Sequence, residues 1–315
     1  MKPSLSVVVP MHNESQNADV FYERITTVLS GIPNLQSWEI VAVNDGSRDD
    51  TLDRLIEIHK KDHRFKVIDL SRNFGKEAAL TAGIEFASGD AVIPIDADLQ
   101  DPPELIPELV SKWLEGYDVV NAVRQERAGE TVVKKGTAHL FYRLFNKMSQ
   151  VKIPEDTGDF RLLSRQVVEA LKRLPERRRF MKGLFAWVGF KTVEVKYFRD
   201  PRLAGQTSFN YWKLWNFAID GITSFSTFPL KVCSYLGLLV ATFSMIYAIV
   251  VITKTILYGD SVKGYPSLMV VVLFIGGVQL IALGIIGEYL GRVYEESKQR
   301  PIYLTKNLYG FNDQK

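Results

Sequence analysis

The sequence predicts an α/β domain, a mostly parallel sheet covered by helices, followed by a hairpin of two membrane-spanning helices. Three observations carry this. Four short apolar runs alternate with helical segments in the first hundred or so residues, the pattern of strands joined by crossover helices. Each run stops at a cluster of polar residues, so the clusters fall on one edge of the sheet. Finally, residues 232–253 and 267–287 are almost wholly apolar. A run of roughly 20 residues at 1.5 Å each spans about 30 Å, the thickness of the hydrocarbon core.

Leu5 to Val9 is the first strand, rich in β-branched residues, and it ends in Pro10-Met11-His12-Asn13-Glu14. A helix is expected from about Ser15 to Leu29. Trp38 to Val43 is the second strand, closing in Asn44-Asp45-Gly46-Ser47, with Asp49 and Asp50 placed to cap a helix to about Lys60. Phe65 to Leu70 is the third, followed by Ser71-Arg72-Asn73-Phe74-Gly75-Lys76 and an alanine-rich helix from Glu77 to Ala87. Ala91 to Ile95 is the fourth. It delivers Asp96-Ala97-Asp98-Leu99-Gln100-Asp101, and Pro102-Pro103 opens the next helix.

Asp-x-Asp at a strand's carboxyl end is either an acidic turn or a pair of hard oxygen ligands. Mg²⁺ usually takes one or two carboxylates plus substrate oxygens. The shared edge favours the second reading, because it brings Asp45, Arg72, Asp96 and Asp98 together from distant parts of the chain. A nucleotide-diphosphate site follows. Asp45 accepts from base or ribose, Arg72 and Lys76 meet ribose or phosphate, and Asp96 and Asp98 hold the metal.

Asp118 to Val123 is a fifth strand ending at Arg124, with Arg127 close behind. Ala128 to Thr137 reads as a loop, and Ala138 to Met148 as an amphipathic helix facing a core or a membrane surface. Asp156-Thr157-Gly158-Asp159-Phe160-Arg161 reads as a polar turn that supplies a second half of the site, or as a helix cap. An amphipathic segment from Ser164 to Leu174 follows. Arg177, Arg178 and Arg179 are either a solvated face or a receiver of phosphate or anionic headgroups. Thr192 to Tyr197 alternates as a strand does. A helix from Tyr211 to Phe228, with Trp212, Trp215 and Phe217, suits the membrane interface.

The organisation expected is a cytoplasmic domain over 1–207, an interfacial helix over 208–230, a membrane hairpin over 231–291 and a cytoplasmic tail over 292–315. The N-terminus lacks a long apolar signal region and reads as the first strand. Lys254 and Lys263 lie in the hairpin loop, whereas Lys213, Lys231, Arg292, Lys298 and Arg300 lie on the other side. Both termini are therefore expected in the cytoplasm, in a multi-pass protein of the inner (plasma) membrane. Gly276, Gly277, Gly284, Gly287 and Gly291 permit close helix contact, the basis for expecting a homo-oligomer, with a tetramer as candidate size. A net charge of +3 over 315 residues speaks against nucleic-acid binding. The single Cys233 excludes an internal disulfide or a cysteine metal cluster. A dinucleotide oxidoreductase needs a Gly-x-Gly-x-x-Gly turn after the first strand, and Pro10 to Glu14 contains no glycine. A membrane protein that binds a nucleotide sugar without catalysis is separated from an enzyme only by assay.

Pro10-x-x-Asn13-Glu14, Asn44-Asp45-Gly46-Ser47, Arg72-Asn73-x-Gly75-Lys76, Asp96-Ala97-Asp98-Leu99-Gln100-Asp101-Pro102-Pro103 and Gly158-x-Phe160-Arg161 resemble, in order and spacing, the family 2 glycosyltransferases. The closest resemblance is to polyprenyl-phosphate sugar transferases, the dolichol-phosphate mannose synthases and, closer still, the bactoprenol glucosyltransferases. It covers nearly the whole chain, including Gly287-Glu288-Tyr289-Leu290-Gly291-Arg292. The resemblance implies a GT-A (Rossmann-like) fold and an inverting hexosyl transfer from a nucleotide sugar, UDP-glucose foremost, to undecaprenyl phosphate. The alternative is another donor such as GDP-mannose. By position, Pro10, Asn13, Glu14, Asp45, Arg72, Lys76, Asp96, Ala97 and Asp98 would line the donor site. Asp98 and Gln100 would hold Mg²⁺ or Mn²⁺. Asp159, with Asp96 and Arg161, would take the catalytic places, and Arg124, Arg127, Arg202 and Arg177 to Arg179 would face acceptor or phosphates. The Gln-x-x-Arg-Trp motif of processive relatives is missing, which speaks against polymer synthesis.

Overall fold

The protein is described from a computed structural model, for residues 2–33, 35–125, 157–177, 179–198, 223, 226–258 and 264–311. Strand β1 (Ser4–Met11) is followed by α1 (Ala18–Ser30), β2 (Ser37–Asn44), α2 (Thr51–Lys61), β3 (Phe65–Leu70), α3 (Lys76–Phe86) and β4 (Ala91–Pro94). A single 3₁₀ turn leads into α4 (Ile106–Leu114) and β5 (Val119–Arg124). Then come β6 (Thr157–Ser164), α5 (Arg165–Lys172), α6 (Met181–Trp187) and β7 (Thr192–Tyr197). The long helices α7 (Phe228–Tyr258) and α8 (Tyr265–Ser297) precede a last strand, β8 (Thr305–Tyr309).

The strands form one sheet in the order β7-β5-β6-β4-β1-β2-β3-β8. Pairs β4-β1, β1-β2, β2-β3 and β5-β7 are parallel, whereas β6 runs against β4 and β5, and β8 against β3. This is the GT-A arrangement that the resemblance implies. Apolar residues alternate between its two faces, as a period of two dictates. Leu5, Val7, Val9, Ile40 and Ala42 pack with Phe21, Ile25, Leu55 and Ile58 of α1 and α2. Val8, Val41 and Val43 pack under α3, α5 and α6 with Ala79, Val167, Met181 and Leu184. Burial on both faces explains the continuous apolar runs in the sequence. At Gly83 the α3 backbone comes so close that a Cβ would sit 2.2 Å from Val8 Cγ1.

Two elements depart from the sequence reading. The segment read as a polar turn before Phe160 is the start of strand β6, because Phe160 and Leu162 enter one side of the core while Leu163 enters the other. The C-terminal tail is not a free tail: residues 305–309 pair antiparallel with β3 at the sheet edge. The expected loop at 128–137 and helix at 138–148, and Trp212, Trp215 and Phe217 of the interfacial segment, lie outside the described residues.

Helices α7 and α8 contain 31 and 33 residues, and each carries a stretch long and apolar enough to cross a membrane. Their apolar side chains, including Leu238, Phe243, Phe274 and Leu280, are exposed within the chain. At 1.5 Å per residue such helices run to about 45–50 Å, longer than the hydrocarbon core. The last turns of α8 extend beyond the apolar stretch and return the chain to the α/β domain. There Glu296 accepts the Arg177 backbone N–H at 2.8 Å, Tyr303 donates to Glu85, and Ser71 N–H donates to the Leu304 carbonyl at 2.9 Å.

Candidate active site

The carboxyl ends of β1, β2, β3 and β4 lie side by side, so their polar clusters meet. The Asp45 N–H donates to the Met11 carbonyl at 2.9 Å, joining the first two loops. Asn13, with φ of 56°, accepts the Arg48 N–H at 2.8 Å and donates its own N–H to Ser47 Oγ at 3.0 Å. The Glu14 N–H donates to Thr51 Oγ1 at 2.9 Å, and its carboxylate accepts from Asn17 at 2.6 Å. Asn13 and Glu14 thus build the wall of the edge, beside the close of β1 at Pro10.

Asp45 organises the third loop. Its two carboxylate oxygens accept the N–H groups of Phe74 at 2.7 Å and Gly75 at 3.0 Å. Gly46 has φ of 61°, and a Cβ there would stand 2.4 Å from the Arg72 carbonyl carbon. Only glycine combines that backbone shape with so close an approach. Arg72 stacks over the Phe74 ring at 4.3 Å with its guanidinium open to solvent.

Lys76, the first residue of α3, stands between two carboxylates. Its Nζ lies 2.6 Å from Asp96 Oδ1 and 2.6 Å from Asp159 Oδ2. Asp159 reaches this point because β6 runs antiparallel, so its beginning meets the carboxyl ends of β4 and β5. Burial alone would push the Asp159 carboxyl up, but the ammonium of Lys76, with Lys182 and Arg161 near it, holds it well below the usual range. Asp96 is moved the other way, raised by burial and by the Asp159 charge against the pull of Lys76. Lys76 is held firmly protonated by the pair, against the effect of burial.

Behind Asp159 lies Arg161, buried, donating to the Gly158 carbonyl at 2.7 Å and stacked over Phe185 at 4.2 Å. Burial lowers its pKa to about 10 despite Asp159 and Glu77. The resemblance gives Arg161 a catalytic place; the structure buries it, and its charge acts on Asp159. Arg124 does border the edge. Its Nε donates to Tyr197 Oη at 3.2 Å, its Nη2 lies 3.6 Å from Asp101, and Tyr197 donates to Asp101. Asp101 is itself buried.

Arg177 and Arg179, expected to face phosphate, have partners within the chain. Arg177 donates to Glu296 through its backbone and to the Arg300 carbonyl through its guanidinium. Arg179 donates to the Leu174 carbonyl at 2.9 Å. The partners of Arg177 come from the returning C-terminal segment, which sequence reading did not anticipate, and that of Arg179 from just past the end of the preceding α5. Arg127, Arg178 and Arg202 lie outside the described residues.

Asp98 and Gln100 sit on the turn after β4. Asp98 Oδ1 accepts the Gln100 N–H at 3.2 Å, and Leu99 between them has φ of 52°. Ala97 is buried, and Asp98 and Gln100 are half-buried. No cluster of three or more His, Cys, Asp or Glu occurs among the described residues. One carboxylate and one amide oxygen form a partial donor set, suited to a hard cation that draws its other ligands from phosphate and water.

Sequence reasoning missed Glu77, Lys182 and Tyr197. Burial, together with the Asp159 charge, raises Glu77 to about 7, against the Met181 N–H that it accepts at 3.1 Å. Glu77 looked like an ordinary first-turn acid. Lys182 and Tyr197 follow no motif and reach the edge only through α6 and β7.

Residues 6–172 match the family Glycosyl transferase family 2, and residues 228–293 match GtrB C-terminal hairpin. The chain is 58% identical over 310 residues to an uncharacterized glycosyltransferase of Synechocystis sp., covering 98% of this chain and 97% of that one. It is 52% identical over 303 residues to the bactoprenol glucosyl transferase of Shigella phage SfV, covering 96% and 98%. It is 50% identical over 306 residues to a prophage bactoprenol glucosyl transferase homolog of Escherichia coli, covering 96% and 99%.

Proposed function

The chain belongs to glycosyl transferase family 2, and from that premise we propose that it transfers glucose from UDP-glucose to a polyprenyl phosphate, undecaprenyl phosphate foremost, at the cytoplasmic face of the membrane. The observation that carries this reading is the meeting of Asp96, Lys76 and Asp159 at one sheet edge, in a domain whose last strand is reached through a membrane-type hairpin. Relatives named bactoprenol glucosyl transferase, about half identical over nearly the full chain, support the sugar and the lipid.

In this reading the loops around Asp45 and Arg72 take the nucleotide, and Asp98 with Gln100 would hold Mg²⁺ or Mn²⁺. The metal would supply charge stabilisation to the departing diphosphate. Asp45 shapes the 72–76 loop through the N–H groups of Phe74 and Gly75, leaving each carboxylate oxygen a further lone pair for a base or ribose donor. Arg124, fixed by Asp101 and Tyr197, is preorganised to meet phosphate charge, which costs least when no rearrangement is needed.

The transfer inverts the anomeric carbon if the acceptor oxygen attacks from the face opposite the diphosphate. A phosphate monoester has its second pKa near about 6, so the acceptor arrives largely as an anion. It needs no strong base, and Asp159, held anionic by Lys76, is a weak one. Asp159 therefore positions Lys76 and the cations around it, and through them the acceptor.

Lys231, Arg292, Lys298 and Arg300 flank one end of the hairpin and Lys254 and Lys263 the other, which supports a cytoplasmic location for the domain and both termini. Apart from the adjoining residues and the helix's own nearby backbone, no heavy atom of the described residues lies within 4 Å of where a Cβ at Gly276, Gly277, Gly284, Gly287 or Gly291 would stand. That leaves room for helix contact between copies, in keeping with a homo-oligomer. The deciding experiment presents the membrane-bound protein with polyprenyl phosphate and a panel of radiolabelled nucleotide sugars. Formation of a lipid-linked glucose is expected; a mannosyl lipid would replace the donor, and no lipid product with any sugar would overturn the reading.

A further inference from the structure

Four cationic side chains converge on the acceptor side of the site: Lys76, Arg124, Arg161 and Lys182. Three of them have anionic or carbonyl partners. Lys76 is bound by Asp96 and Asp159, Arg124 lies against Asp101 and Tyr197, and Arg161 donates to the Gly158 carbonyl. Lys182 forms no hydrogen bond or ion pair among the described residues. The helix turn that carries it is held on both sides. It lies on α6 between Met181, whose N–H is held by Glu77 and whose side chain is buried, and Phe185, which is buried under Arg161.

A half-buried ammonium without a partner is costly, and three neighbouring cations add to the cost. Burial accordingly lowers the Lys182 pKa, Asp159 opposes the shift, and Arg124, Lys76 and Arg161 reinforce it. An entering anion offsets the cation repulsion and gives the ammonium a partner. The groups acting most strongly on Lys182 are Asp159, Arg124, Lys76 and Arg161, and Lys182 in turn acts on the Glu77 carboxyl. Helix α6 also begins just after the segment in which Arg177 holds Glu296 and Arg300 at the cytoplasmic end of the hairpin. A phosphate borne on a lipid has to arrive from that side.

We propose that Lys182 is a ligand of the acceptor's phosphate monoester, a cation with no hydrogen bond or ion pair among the described residues whose shell the arriving lipid phosphate completes. The inference rests on the polyprenyl-phosphate reading above. The test uses the full chain in lipid nanodiscs, with Lys182→Met and Lys182→Arg beside the wild type. Loss of one charge-assisted contact should raise the KM for polyprenyl phosphate about tenfold to a hundredfold in the methionine variant. UDP affinity, measured by calorimetry, should stay within about twofold on the same reasoning, and arginine should restore most of the acceptor KM.

A second arm needs no turnover. Acylation of the Lys182 amine by an amine-reactive ester, read by peptide mass spectrometry, should be slowed by polyprenyl phosphate, and by inorganic phosphate at higher concentration, but not by UDP. Protection by UDP would assign Lys182 to the donor diphosphate and overturn the proposal. An unchanged acceptor KM in Lys182→Met, or no protection by either phosphate, would overturn it as well. If the wild type transfers no sugar to lipid, the enzymatic reading fails, while the protection arm still judges Lys182 on its own.

Discussion

Replacing Lys76 with methionine removes the one ammonium that stands between Asp96 and Asp159. Both carboxylate oxygens lie 2.6 Å from its nitrogen, so they are at most about 5 Å from each other. Two unit charges at about 5 Å repel by about 3 kcal/mol at an effective dielectric of 20. The Lys76 side chain is 46% exposed, so solvent screening cuts this to about half. At about 1.4 kcal/mol per unit, the carboxylate pair should take up its proton about one to two pH units higher. In the wild type the Asp159 contribution to stability is present above the ordinary carboxylate range and is lost as pH falls through its depressed value. In Lys76→Met that loss, and the acid limb of kcat/KM for lipid glycosylation, should move upward by the same interval. Lys76→Arg should leave the limb near its original place. Initial rates of lipid-linked sugar formation from about pH 3 to 8 measure both variants, a range that spans ordinary carboxylates and histidine. If Lys76→Met lost activity equally at every pH, with the acid limb unmoved, the electrostatic role assigned to the bridge would be wrong.

Gly46→Ala forces a Cβ to within 2.4 Å of the Arg72 and Asn73 backbone at φ of 61°; a strain of about 1–3 kcal/mol should appear as a lower melting temperature and weaker UDP binding, and an unchanged melt would contradict the packing. Glu77 is raised to about 7, so the stability that its protonated form contributes is complete below the ordinary carboxylate range and lost as pH rises through about 7. Glu77→Gln should flatten that decline in thermal melts, and a slope identical to wild type would dismiss the assignment. Excising 228–297 behind a linker that keeps 298–315 should preserve UDP binding and sharply reduce transfer to a long-chain acceptor, whereas truncation after 227 should also lower stability by removing β8 from β3. Equal transfer by the excised protein would refute the anchoring role of the hairpin.

The parallel half of the sheet was legible because its strands are buried on both faces and stop abruptly. Val7 to Val9, Ile40 to Val43 and Ala91 to Ile93 are all apolar and all buried, and each gives way to a polar loop. The same logic hid β6. Thr157-Gly158-Asp159 has turn-forming chemistry, and only the pairing with β5 makes it a strand. β8 was hidden for the opposite reason: four of its five residues are exposed, so Thr305 to Tyr309 shows no apolar run. The motifs correctly brought Asp45, Asp96 and Asp159 to one edge. They did not reveal that Asp45 binds backbone N–H groups or that Lys76 bridges two carboxylates, since those facts depend on distances between segments that sequence spacing does not encode.

Under the proposed function, the position of β8 bears on how the α/β domain would handle a lipid substrate. A transferase whose acceptor phosphate lies at headgroup level must hold its catalytic edge at a set height, and a single flexible linker from domain to hairpin would leave that height and tilt free. Here the chain leaves α8 at Ser297 and within a few residues is tied back three times: Glu296 to Arg177, Tyr303 to Glu85, and the Leu304 carbonyl to Ser71. Ser71 immediately precedes Arg72 and the loop that ends at Lys76. The segment that follows α8 and the 71–76 loop therefore meet at β3, one through pairing with β8 and the other as the strand's own continuation. Tilting α8 relative to the sheet would have to break the β8 pairing or move the loop that Asp45 holds. Under the proposed function, anchoring and donor recognition would in this way be mechanically joined through the strand at the edge beside β3.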